Sequence, residues 1–180
     1  AGCAKDRIRC VTGIDAAVFV IPAQAVNTVC EHIRATGLRL PVAIIASKGI
    51  DLQTLRPLSD VVNDYLPRTT VAVVSGPCIA REVAQGIPTS VVAACADDAV
   101  AGRVQHWFNS HTFRVYRQSD VLGVEYGGAY KNVIAIAAGA CDGLGFGDNS
   151  KAALVTRGKD EVRRLGVACG ARPETFFGLS

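Results

Sequence analysis

Two lysines stand where a freely solvated cation is out of place. Lys131 interrupts the run from Val124 to Asp142, which is otherwise dominated by glycine, alanine and aliphatic residues. With Val121 to Asp142 read as one helix, Gly127, Gly128, Lys131, Ala135, Ala138 and Asp142 share a stripe, because residues three, four and seven apart lie on one face. The ammonium then stands over a shallow groove almost without side chains. Each glycine lowers helix propensity by up to about 1 kcal/mol. A pair kept one turn before a lysine therefore implies close approach of another body, either a second helix or a small substrate. A helix crossing with Lys131 snorkelling to solvent is the architectural alternative. The second lysine, Lys48, sits in Ser47-Lys48-Gly49 directly after the apolar run Val42 to Ala46, so its ammonium projects over the carboxyl edge of a strand. A cation there stabilises charge developing on a carbonyl oxygen; a solvated loop lysine is the competing reading. Ser75-Gly76-Pro77-Cys78 closes another apolar run, and its amides are open to a ligand because Gly76 carries no obstructing side chain. No base is identifiable near Cys78, so the thiol is not read as a nucleophile.

These residues need a scaffold. Ala17 to Ile21, Val42 to Ala46, Val71 to Ser75 and Ser90 to Cys95 read as strands, with helices near Ala23 to Ala35, Leu52 to Tyr65, Cys78 to Gln85 and Ala99 to Asn109. Apolar strands without alternation, separated by helices, predict a parallel sheet covered on both faces, the doubly wound α/β arrangement. Pro22, Gly49 and Gly76 fall at strand ends, where such sheets bind ligands. After the long helix, the glycines of Asp142 to Asn149 predict a turn, with Asn149 or Ser150 capping a helix that runs to about Cys169 and pairs Asp160 with Arg164. An ion pair is the expected job of Arg157, and the run Lys159 to Arg164 reads as a solvated face. Glu125 lies on a different helical face from Lys131 and is assigned to structure.

Composition narrows the class. In 180 residues, 49% are apolar and the net charge is +3, which suits small anionic substrates and is too diffuse for a nucleic-acid footprint. No apolar run approaches the ~20 residues of a membrane span, and AGCAKDRIRC lacks the apolar core of a signal peptide. Seven cysteines without a CxxC pair read as reduced thiols of a cytoplasmic protein. His32, His106 and His111 stand apart, so no metal site is expected. The chain contains no methionine, which reads as a fragment or processed piece. Residues 1–14 receive no function.

The string VEYGGAYKNVIAIAAGACDGLGFGDNSKAALVTRG, from Val124 to Gly158, resembles the NAD(P)-dependent glycerol-3-phosphate dehydrogenases of bacterial type, as do SKG at Ser47 to Gly49 and SGPCIAREV at Ser75 to Val83. The resemblance spans about residues 16–180. It implies a partial Rossmann-type doubly wound parallel sheet over 1–117, lacking its first mononucleotide-binding half, followed by the beginning of an all-helical substrate domain over 118–180. The family's GxGxxG turn has no counterpart upstream of Val18, and Gly143-Leu-Gly-Phe-Gly147 follows a helix with the wrong spacing. The activity implied is interconversion of dihydroxyacetone phosphate and sn-glycerol 3-phosphate with NAD or NADP, for glycerophospholipid synthesis in the cytoplasm, by a possible homodimer.

By the same resemblance Lys131 is the catalytic acid–base. Lys48, Gly76, Cys78, Lys131 and Asn132 hold substrate, and Pro22, Lys48 and Ala80 meet the cofactor. The family commonly has Ser or Thr where Cys78 stands, and a thiol is the weaker donor. A lysine exchanges its proton near neutral pH only if burial or another cation lowers its pKa, and Lys48 is the candidate cation. The two ammonium groups are therefore expected to meet at one substrate position. Weak or absent activity is expected of the chain alone. Two alternatives stand beside this reading: another hydroxyacid or nucleotide-sugar type dehydrogenase of the same superfamily, and a non-catalytic remnant.

Overall fold

Val42–Ile45 is the hinge of the architecture: four successive residues, all buried, with Ala43 and Ile45 turned into one core and Val42 and Ile44 into another. A strand with two apolar faces must be covered on both. The computed structural model describes residues 13–179. Its five strands are β1 (Ala16–Phe19), β2 (Val42–Ile45), β3 (Thr70–Ser75), β4 (Thr89–Ala94) and β5 (Phe113–Gln118), hydrogen-bonded in that order. Helices α1 (Val26–Thr36) and α2 (Leu58–Tyr65) supply Val26, Cys30, Ile33, Leu58, Val61 and Val62 to one core. A short α3 (Ala80–Ala84) follows β3, and α4 (Asp98–Phe108) covers the other face through Val100, Ala101 and Val104. The two-faced cover matches the sequence expectation.

The expectation of a wholly parallel sheet needs correction. β1, β2 and β3 are parallel and so are β4 and β5, but β4 runs antiparallel to β3. A parallel return needs a crossover helix that packs on the sheet. Helix α3 has five residues and buries none of them, so the chain turns back beside β3 instead. The sheet is mixed. β5 was not anticipated: FRVYRQ carries charges between its apolar residues because this edge strand is largely exposed. Helix α2 starts at Leu58 rather than near Leu52. The Asp51 carboxylate accepts from Thr54 N at 2.8 Å and Thr54 Oγ1 at 2.7 Å, which winds the chain into a local turn. Pro57 then disfavours the helical conformation at Arg56.

Beyond the sheet, α5 (Val121–Gly143) and α6 (Asp148–Ala168) form an antiparallel helical hairpin, followed by a 3-10 turn, Pro173–Phe177. Asp120 caps α5 by accepting from Gly123 N at 3.0 Å, and it also accepts from Arg172 N at 2.9 Å and Thr175 Oγ1 at 2.6 Å, drawing the final turn back to the start of the helix. Neither Asn149 nor Ser150 caps α6. Gly147 opens that helix without a side-chain bond, so both residues already lie in its first turn. Asp160 pairs with Arg164 at 3.2 Å, as the spacing predicted. Arg157 forms no ion pair among the described residues and instead lines the groove between α5 and α6. Cys30, Cys78, Cys95, Cys141 and Cys169 are free thiols, while Cys3 and Cys10 lie outside the described residues, as do residues 1–12 as a whole. Among the described residues no helix is long and apolar enough to cross a membrane.

Candidate active site

The parallel strands β1, β2 and β3 deliver their carboxyl ends to one edge, and the turns that follow them form the floor of the site. The first two turns are fastened by Ser47. Its hydroxyl accepts from Ile21 N at 3.2 Å and donates to Ile21 O at 2.6 Å, while Ala46 N and Ser47 N both donate to Phe19 O at 3.0 Å. Pro22, exposed, precedes the 3-10 turn Ala23–Ala25, whose Ala23 packs against Gly49. Ser47 therefore holds the Pro22 turn and the Lys48 turn side by side. The sequence showed Ser47 only as the first letter of SKG, with no sign of a partner 26 residues away.

The third turn gathers both lysines. Lys48 Nζ lies 3.5 Å from Cys78 Sγ, and Lys131 Nζ donates to the Gly76 carbonyl at 2.6 Å. Gly76 has φ 154°, and a Cβ there would meet Val91 Cα of β4 at 2.8 Å, so both backbone conformation and space demand glycine. Two cations thus reach the same four-residue turn. Neither forms an ion pair among the described residues. The Lys131 ammonium is half-buried, and its pKa is held below the ordinary lysine range, first by loss of water around the charge and second by the Lys48 cation. Such a turn offers concentrated, uncompensated positive charge to an anion and a lysine that releases its proton more readily than usual.

The body approaching the glycine pair of α5 is the end of β3. A Cβ at Gly128 would lie 2.5 Å from Ser75 Oγ, so the helix passes over the strand with no room for a methyl group between them. Glu125 faces elsewhere. Its carboxylate accepts from Ser59 N at 2.9 Å and is also bonded by the Ser59 hydroxyl, and burial pushes its pKa up to about 7. This agrees with the structural role expected of it, but its partner on α2 lies 66 residues upstream and was not foreseeable.

Lys48, Gly76, Cys78 and Lys131 come together. Asn132 follows Lys131 but is exposed and bonds to none of the four, and Ala80 is exposed at the first residue of α3. Pro22 stands on the neighbouring turn, before Ala23–Ala25. Val20, just past the end of β1, and Ile79, next to Cys78, are apolar residues 73% and 64% exposed. That combination fits the nicotinamide end of a dinucleotide, with Pro22, Lys48 and Ala80 as the residues that would hold it.

Comparison with known proteins places this geometry in context. Residues 3–101 match the family model described as NAD-dependent glycerol-3-phosphate dehydrogenase N-terminus, and residues 120–180 match the corresponding C-terminus model. The match reaches residue 3, further back than the 16–180 legible from motifs. A glycerol-3-phosphate dehydrogenase (NAD(P)+) of Geobacter sp. strain M21 is 50% identical over 179 residues, covering 98% of this chain and 53% of that relative. One of Clostridium perfringens is 44% identical over 176 residues, with 98% and 53% covered. Among solved structures, glycerol-3-phosphate dehydrogenase of Coxiella burnetii superposes with a TM-score of 0.87 at 35% identity, covering 93% of this chain and 51% of that one. The yeast enzyme's structure gives 0.84 at 29% identity, with 96% and 52% covered. The chain spans about half the length of the curated relatives it matches.

Proposed function

The chain belongs to the NAD-dependent glycerol-3-phosphate dehydrogenase family, and from that premise we propose that its site serves interconversion of dihydroxyacetone phosphate and sn-glycerol 3-phosphate. One observation carries the reading: two lysines with no acidic partner reach a single glycine turn at the carboxyl edge of the sheet. Lys131 is the acid–base. In reduction its ammonium gives a proton to the ketone oxygen; in oxidation the neutral amine removes the hydroxyl proton, and its depressed pKa raises the fraction in that form. Lys48 stabilises the oxygen as charge builds on it. The Gly76–Cys78 backbone and Asn132 orient the substrate, and Lys48, Pro22 and Ala80 hold NAD or NADP. The dinucleotide, when bound, supplies or accepts the hydride that balances the proton handled by Lys131.

The division at residues 117 and 118, between a cofactor-binding part and a helical substrate-binding part, belongs to the same proposal; it falls one residue before the end of β5, close to the passage into α5 that supports it. So do a cytoplasmic setting, a role in glycerophospholipid synthesis, weak activity of this chain by itself, and a homodimer, the last supported by exposed Val133, Ile136 and Leu165 on the helical hairpin. Calorimetric titration of the chain with NADH, NADPH and glycerol 3-phosphate tests the reading. Saturable phosphate-ester binding that disappears in both Lys48→Ala and Lys131→Ala is expected. In an intact relative carrying the same core, replacing the lysine equivalent to Lys131 with alanine should cost about 10²–10⁴-fold in ketone reduction. Undiminished turnover there would end the proposal.

A further inference from the structure

β3 ends in Ser75, a residue that is 2% exposed and whose hydroxyl has no hydrogen-bond partner among the described residues. An unpaired buried hydroxyl destabilises a fold relative to alanine, so its contribution here is the space it fills. What it fills is the gap over Gly128 on α5. A Cβ at Gly128 would lie 2.5 Å from Ser75 Oγ but 3.5 Å from Ser75 Cβ, so only the hydroxyl oxygen conflicts with it. The serine oxygen and an alanine methyl at 128 are thus alternative occupants of one space. One turn further along α5, Lys131 Nζ rests 2.6 Å from the carbonyl of Gly76, the residue after Ser75. The separation of helix and strand at Ser75 and Gly128 therefore sets how far the lysine reaches.

We propose that Ser75 is a positioning residue: its Oγ, seated where Gly128 lacks a Cβ, fixes the stand-off between α5 and β3 and so places the Lys131 ammonium on the Gly76 carbonyl. The inference deepens the dehydrogenase reading and rests on it for its consequence, the height of the acid–base lysine over the substrate. Pushing α5 outward exposes Lys131 to water, which undoes the burial that depresses its proton affinity.

The test follows the ε-carbon resonances of the chain labelled with ¹³C-lysine from pH 7 to 12. With five lysines in the sequence, Lys131→Met assigns the relevant signal. Gly128→Ala is expected to raise the Lys131 midpoint toward the ordinary lysine range. Ser75→Ala combined with Gly128→Ala, which trades the oxygen for the methyl, is expected to return it to the unmodified value. A merely architectural glycine predicts lower heat stability with an unchanged Lys131 titration, and that result overturns the proposal, as does a double variant that fails to restore the midpoint. Where Gly128→Ala alone does not fold, a folded double variant with a depressed Lys131 midpoint supports it. An unfolded double variant, or a folded one with an ordinary lysine, overturns it. Neither cofactor nor turnover enters the measurement, so it fails independently of the dehydrogenase reading, which stands or falls on ligand binding.

Discussion

Lys131 owes its lowered proton affinity to two neighbours of unequal weight, the protein that displaces water from it and the cation of Lys48. The two are separable because only one is a charge. Lys48→Met keeps the stem and removes the ammonium, so the Lys131 midpoint should move up part of the way toward the ~10.4 of a solvated lysine, burial holding the remainder. The same ¹³C titration reads the shift, and raising the salt concentration should mimic it weakly, because a half-buried pair is only partly screened. An unmoved midpoint would mean that solvent already insulates the two lysines from one another. At the site this pairing has a direct chemical sense. The Lys48 cation makes Lys131 costlier to keep charged, and an anion bound between them would relieve that cost.

Among the elements, α5 carries the most, since it begins at the sheet, crosses Ser75 and delivers Lys131. Its start is tied by Asp120, a buried carboxylate accepting from Gly123 N, Arg172 N and Thr175 Oγ1. Asp120→Ala removes a helix cap and leaves the buried Gly123 N–H without its acceptor, a loss of about 3 kcal/mol. For a chain of this size that lowers the melting temperature by roughly 6–12 °C, measurable by far-UV circular dichroism; a shift below 2 °C would show the donors finding water instead. Strands β1 to β4 and the motifs holding Lys48, Gly76, Cys78 and Lys131, which the fold brings to one turn, were legible, because continuous apolar runs and short motifs are local properties. The direction of β4 was not, since it depends on whether α3 packs on the sheet, and nothing within TSVVAA encodes that. β5 hid behind its charges. The fasteners Ser47, Ser59 with Glu125, and Ser75 over Gly128 were invisible for a common reason: each joins segments far apart in the chain, and a lone serine carries no periodicity.

For the molecule as a whole, the junction between sheet and helical hairpin is held in part by one buried carboxyl. Glu125 of α5 meets Ser59 of α2 through both backbone and hydroxyl. Burial raises its pKa to about 7 and outweighs the Ser59 bonds, which favour the charged form, while nearby Asp60 pushes in the same direction as burial. The sign of the linkage follows. In the unfolded chain this group titrates near 4.3, so between that pH and about 7 the folded state binds the extra proton. Its contribution is fully present below the unfolded value and is lost as pH rises through the folded one. Glu125→Gln keeps an acceptor for Ser59 and cannot ionise. The unfolding free energy of this variant minus that of the unmodified chain, from urea titrations, should therefore climb between pH 4.5 and 7 by on the order of 3 kcal/mol and level off above. Parallel stability curves across that range would show that the carboxylate is hydrated at the junction. A climb would mean that raising the pH toward neutrality loosens from α2 the helix that carries Lys131 to the Gly76 turn.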